Sequence, residues 1–164
     1  PFSFFTPITS NPPLLMISVG KKPTDGASKD TRVNIEERKH FVVHIAHREL
    51  AAAVTESSRT LPHNDSELKN LDLEMVDFEG AGLPRLKGCH VAFACELYDI
   101  KEIGAGPQSL VFGKVNRVWV SDDAARYDGN NRLTFDGSAI DPLGRLGGSE
   151  YVTFGEILKV PRPS

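Results

Sequence analysis

Along this chain, apolar residues fall in short unbroken runs or alternate with polar ones far more often than they recur at helical spacing. Runs rich in β-branched and aromatic residues predict strands over Leu14–Val19, Phe41–Ala46, Cys89–Ile100, Ser109–Ser121 and Tyr151–Val160, and Phe2-Ser3-Phe4-Phe5 reads as a further strand-like stretch. Between Val111 and Val120, the odd positions Val111, Val115 and Trp119 alternate with Lys114 and Asn116. This predicts a strand with one buried and one wetter face, with Gly113 marking a bulge or a close approach.

Helical patterning is confined to three short pieces, Asp30–Arg38, Glu49–Glu56 and Asp65–Asn70. The stretch Arg59–Leu86, broken by Pro62, Gly80, Gly82 and Pro84, predicts an irregular excursion that covers a surface or a partner subunit. Gly104-Ala105-Gly106-Pro107 suits a hairpin connection between two long strands, and Gly129-Asn130-Asn131 a second turn. Long strands, excursions and few helices together predict a single mainly-β domain over residues 1–164, built as an antiparallel barrel.

Composition narrows the partners. The 164 residues are 40% hydrophobic and 25% charged, ordinary values for one globular domain with its own core. A formal net charge of -3, with no basic run longer than two residues, disfavours a nucleic-acid module. The longest apolar run, Leu14–Val19, is strand-sized, so no membrane segment is expected. Cys89 and Cys95 would stand roughly 20 Å apart in one strand, beyond disulfide reach. Two free thiols suit a reducing, cytoplasmic setting.

The chemistry concentrates in Ser28-Lys29-Asp30-Thr31, at the predicted start of a helix. A helix N-terminus favours a phosphate through its unpaired N–H groups and partial positive charge. Lys29 adds a full charge, and Ser10, Ser18 and Thr31 add hydroxyl donors. The same residues also suit an ordinary capped helix, with Asp30 or Thr31 as the cap. His40, His44 and His47 invite a metal reading, but in a strand His40 and His44 would be about 13 Å apart, and His44 would face away from Phe41, Val43 and Ile45. No Gly-x-Ser-x-Gly elbow is present, and both cysteines read as buried. Gly144-Arg145-Leu146-Gly147-Gly148-Ser149-Glu150-Tyr151 combines glycines that permit close approach with a guanidinium and a phenol. It suits a ligand-facing loop and a flexible linker equally.

Taken together, these segments resemble the flavin reductase-like family of FMN-binding split barrels. The resemblance runs through Pro1-Phe2-Ser3-Phe4-Phe5, Ser10-Asn11-Pro12-Pro13-Leu14, Lys29-Asp30-Thr31 with Asn34-Ile35, Gly88–Leu97, Leu110–Val115 and the closing Gly-Arg-Leu-Gly-Gly-x-x-Tyr. It implies a homodimer of six-stranded antiparallel Greek-key split β-barrels with a few short helices, each binding FMN in a groove near the subunit interface. By that analogy, Phe5 and the Thr9-Ser10-Asn11 loop flank the flavin, and Ser18, Lys29, Asp30 and Thr31 gather around its phosphate. Asp30 would cap the helix or orient Lys29, since an acid beside a phosphate repels it. Arg145 and Tyr151 line the same groove or brace its closing loop. Relatives carry a strand pair before the Pro-Phe-Ser-Phe-Phe segment, so strands are expected to precede Pro1.

The expected activity is an FMN-dependent oxidoreductase that takes hydride from NADH or NADPH and feeds a monooxygenase or another electron-transfer partner. The alternatives are a tightly bound FMN electron carrier of the flavoredoxin type, and a flavin-binding protein without turnover. No catalytic acid, base or metal is required by any of the three.

Overall fold

The computed structural model describes every residue except His63, Asn64, Pro107, Arg162 and Ser164. Its elements in order are β1 (Phe5–Ser10), β2 (Pro13–Val19), α1 (Asp30–Arg38), β3 (His40–Ile45), α2 (Ala51–Glu56), β4 (Met75–Val76), β5 (Arg85–Leu86), β6 (Val91–Ile103), β7 (Gln108–Val120), β8 (Ala125–Tyr127), β9 (Leu133–Phe135), α3 (Gly137–Ile140), β10 (Gly144–Gly147) and β11 (Glu150–Val152). Single 3-10 turns cover Arg48–Leu50 and Glu67–Asn70. The second expected helix is therefore split between a 3-10 turn and α2, and the third is only a 3-10 turn.

Five antiparallel strands form the main sheet in the order β1-β2-β7-β6-β3. Strands β3, β6 and β7 lie side by side, and β2 lies against β7 with α1 in its long connection to β3, which is Greek-key topology. The sheet curls. Strands β1 and β6 are three positions apart, about 14 Å in a flat sheet, yet the rings of Phe5 and Phe93 stack at 6.4 Å. Leu15, Ile17 and Val19 of β2, Ile35 of α1, Phe41 of β3, Cys95 of β6 and Val111 of β7 fill the interior so enclosed.

The expected sixth long strand does not join this sheet. Of Tyr151–Val160 only Tyr151 and Val152 are paired, against β10, and Ile157, Leu158 and Val160 beyond them stay exposed. The long β6–β7 hairpin turns over residues 104–106, with Gly104 at φ 81°, as the glycines predict; Pro107 lies outside the described residues.

Two irregularities decide which side chains face inward. Opposite Gly113 and Phe112, β6 carries one extra residue, Tyr98, so Leu97 and Ile100 both reach the core although their spacing is odd. Gly113 itself is a close approach: a Cβ there would lie 2.5 Å from the Phe41 ring and 3.2 Å from Cys95 Cβ. A second bulge sets Ala94 against Arg117 and Cys95 against Val115, leaving Asn116 as the extra residue on β7. Beyond it the strand's faces exchange. Trp119, expected to share a face with Val111 and Val115, packs on the outer side with Ala92, Ala94 and Phe78.

The excursion covers that outer side. Phe78 is buried against Ala92 and Ala94, joined by Val42, Ala81 and Trp119. His44 also faces outward, opposite the side of Phe41, and accepts a hydrogen bond from the Leu86 backbone N–H at 3.0 Å. Burial and the neighbouring Arg85 pull its pKa down from 6.5 to about 4. Cys89 and Cys95 are buried free thiols, pushed up to about 11 and about 12 by burial. Cys89 precedes β6 and does not lie within it.

Candidate functional site

Strand β2 ends at Val19, and the chain loops back through a bridge between Lys21 and Ser28 to start α1. Gly26 at φ 72° closes the loop, with its N–H bonded to the Lys22 carbonyl. Lys29 is the N-cap, in extended conformation, and offers no side-chain capping bond; its carbonyl accepts from the Arg32 and Val33 N–H groups. The cap is therefore neither Asp30 nor Thr31. Asp30 stands at the first helical position and binds the Lys22 ammonium at 2.8 Å. That pairing answers the objection to an acid beside a phosphate, because Lys22 offsets its charge.

The Lys21 ammonium donates to Ser28 Oγ at 3.2 Å, and the Lys29 ammonium lies 5.8 Å from the centre of the Phe2 ring. Ser18 Oγ donates to Gln108 Oε1 at 3.3 Å, at the start of β7. Beside it, Ser109 donates to Glu102 at 2.7 Å, and Arg32 Nε lies 3.3 Å from the same carboxylate. The Ser109 hydroxyl, aided by Lys21 and Arg32, holds the Glu102 carboxyl below the usual range. The ends of β2, β6 and β7 thus meet the first turn of α1 in one cluster. Ser18, Lys29, Asp30 and Thr31 stand at this junction, together with Lys21, Lys22, Arg32 and Gln108. The first two could have been found: Lys21-Lys22 is a basic pair directly after an apolar strand. Gln108 and Arg32 carried no local signal, since only the strand register brings them there.

The other expected residues lie elsewhere. Thr9 and Ser10 end β1 and Asn11 opens the turn into β2, where the Asn11 N–H donates to Thr9 Oγ1 at 3.2 Å and the Asn11–Pro12 bond is cis. From Pro13 to Ser18 the strand rises about 17 Å, so this turn and the head of α1 occupy opposite ends of β2. Phe5 sits opposite Ile17, at the α1 end and not beside the turn, with its ring packed on Phe93. Arg145 and Tyr151 face each other across β10 and β11, the guanidinium 4.8 Å from the ring centre. Arg145 also donates to the Gly148 carbonyl. Tyr151 reaches Thr55 of α2 at 2.9 Å. Thr55 spends its hydroxyl proton on the Ala51 carbonyl at 2.9 Å, so Tyr151 is the donor. These two residues brace the closing ribbon against α2.

The sheet order, the α1 head and the closing ribbon can be set beside known proteins. A family model described as the flavin reductase like domain matches residues 1–143. The chain belongs to the flavin reductase-like family. Its flavin reductase-like fold superposes on nitrilotriacetate monooxygenase component B from Bacillus cereus with a TM-score of 0.86 and 31% identity, over 98% of this chain and 78% of that one. A Shewanella frigidimarina protein described by its split barrel domain gives 0.83 at 18% identity, over 99% and 77%. The FMN-binding domain of a flavin reductase-like enzyme from Shewanella baltica gives 0.74 at 19%, over 98% and 80%. The fold is a split barrel.

The residues fit FMN in kind. A ligand that touches both the α1 head and the Thr9–Asn11 turn must be elongated and anionic at one end. FMN, with a phosphate joined through a ribityl chain to a ring system, has that form. Lys29 and Thr31 keep side-chain polar groups that no hydrogen bond or ion pair occupies among the described residues.

Proposed function

We propose that this protein is an FMN-dependent oxidoreductase that draws electrons from NADH or NADPH and hands them to a monooxygenase or another electron-transfer partner. The observation that carries the reading is the cluster at the head of α1. There Lys29 stands at an N-cap without using its side chain to cap, and Lys22 offsets the one acid of the first turn. Membership of the flavin reductase-like family and the likeness to a monooxygenase component support it.

Lys29, Thr31 and the first-turn N–H groups of α1 hold the phosphate, with Lys21 and Lys22 raising the local positive potential. Ser18, fixed by Gln108, lines the path along β2, and the Thr9–Asn11 turn borders the ring end. FMN, when bound, supplies the redox chemistry itself, exchanging electrons in pairs or singly. The protein's contribution is position, which needs no acid–base residue. The protein works as a homodimer, supported by the exposed apolar side chains Phe135, Tyr127, Leu146 and Val152 on its small ribbons.

An anaerobic absorption spectrum of the FMN-reconstituted protein, taken before and after NADH or NADPH, tests the activity. Rapid bleaching of the blue flavin band by one nucleotide is expected. A bound flavin that stays oxidised with both would leave a carrier or a binding protein, and no bound flavin would remove the function.

A further inference from the structure

On the outer face of the sheet, away from the barrel interior, the excursion and the distal half of β7 enclose an open groove of about 540 Å³. Asp77, Phe78, Glu79 and Arg85 line one side, Arg117 and Trp119 the other. That volume suits a mid-sized molecule. Arg85 lies over the indole, its guanidinium carbon 3.6 Å from the ring centre. One of its NH groups donates to the Leu86 carbonyl at 3.3 Å, while Nε is buried with no hydrogen-bond partner. Arg117 lies over Gly80, where φ is 67° and a Cβ would collide with the guanidinium.

Neither arginine has an ion pair among the described residues. An unpaired cation held against an indole and partly withdrawn from water is costly unless an anion completes it. Its neighbours cannot do so, since His44 is neutral near pH 7 and Cys89 remains a thiol. Asp77 and Glu79 do face the groove, but both are exposed and their charge is screened by solvent. The wall therefore combines two guanidinium donors with the carbon surface of Phe78 and Trp119.

We infer that this groove is a second ligand site, which binds a planar ring carrying an oxyanion, the anion taken by Arg85 and Arg117 and the ring laid along Phe78 and Trp119. Arginine suits either source of oxyanion, the carboxylate of an aromatic acid or the phosphate of a nucleotide.

Trp119 is the single tryptophan of the chain, so its emission reports this groove alone. The purified protein is titrated with benzoate and with adenosine monophosphate, using benzamide and adenosine as uncharged counterparts. A saturable change in Trp119 emission is expected with at least one anion, and none with its counterpart. Response to the nucleotide alone assigns a phosphate, and response to benzoate alone a carboxylate. Arg117→Ala and Arg85→Lys should each weaken binding at least tenfold, and Asp77→Asn should tighten it. Arg117 is exposed, so its variant decides the matter if Arg85→Lys fails to fold. Equal response to the uncharged compounds, unchanged affinity in Arg117→Ala, or no response to either anion overturns the site.

Discussion

Lys29 and His44 show how one side chain's surroundings set its task. Lys29 caps a helix with its backbone while its ammonium stays uncommitted. Lys29→Ala should therefore weaken FMN about tenfold to a hundredfold, the usual loss for a charge-assisted bond. Riboflavin, which lacks the phosphate, should bind almost unchanged; equal losses in titrations of both would dismiss the phosphate role. His44 is instead held neutral, with its pKa at about 4, by burial and then by Arg85. A depressed value means the unfolded chain takes up the proton first as pH falls. The stability tied to neutral His44 is complete above pH 6.5 and drains away toward pH 4, on the order of 3 kcal/mol. In urea unfolding across that window, His44→Gln, which keeps an acceptor for Leu86, should show a shallower pH slope. Slopes that match the parent would sink the assignment. Of these two residues, Lys29 was legible in the sequence because its neighbours announce a helix start. The burial of His44 was not, because the segment that covers it lies about 40 residues away in sequence.

At the level of elements, strand and helix bounds followed local patterning closely where neighbours agreed with it. Helix α1 occupies Asp30–Arg38 as expected, and the β6–β7 hairpin differs by a few residues at its ends. Tyr151–Val160 failed because apolar content marks strand-forming capacity, and only pairing makes a strand; its pairing stops at Val152. The face of Trp119 failed because alternation assumes an unbroken pleat. Gly113 succeeded, and Gly113→Ala should cost about 1–3 kcal/mol by overpacking against Phe41, read from the urea midpoint. No change in that midpoint would mean Phe41 yields without cost. The closing ribbon meets α2 through the Tyr151 phenol. Tyr151→Phe should speed amide hydrogen exchange across Gly144–Val152 and leave β6 and β7 unaffected. Uniform acceleration throughout would point to global destabilisation instead.

For the whole molecule, the split barrel divides labour between two sides of one sheet. The interior and the α1 head serve the proposed flavin, and the outer face carries its own small core beneath the excursion. The proposed homodimer would cover the exposed apolar side chains of the short ribbons, and sedimentation equilibrium should return about twice the 18.0 kDa chain mass. A strictly monomeric mass at micromolar concentration would count against the homodimer. The two sides meet along β7, at the extra residue Asn116. The pairing of Trp119 with Ala92, whose side chain faces outward, decides which compartment the indole enters. Deleting Asn116 would restore an even pleat and leave Arg117 opposite Ala94, Val118 opposite Phe93 and Trp119 opposite Ala92, so the indole would stay on the outer face. A lineage can therefore gain or lose this residue by a one-codon step without emptying either compartment, whereas a one-residue slip of the distal half of β7 along β6 would turn that whole half over.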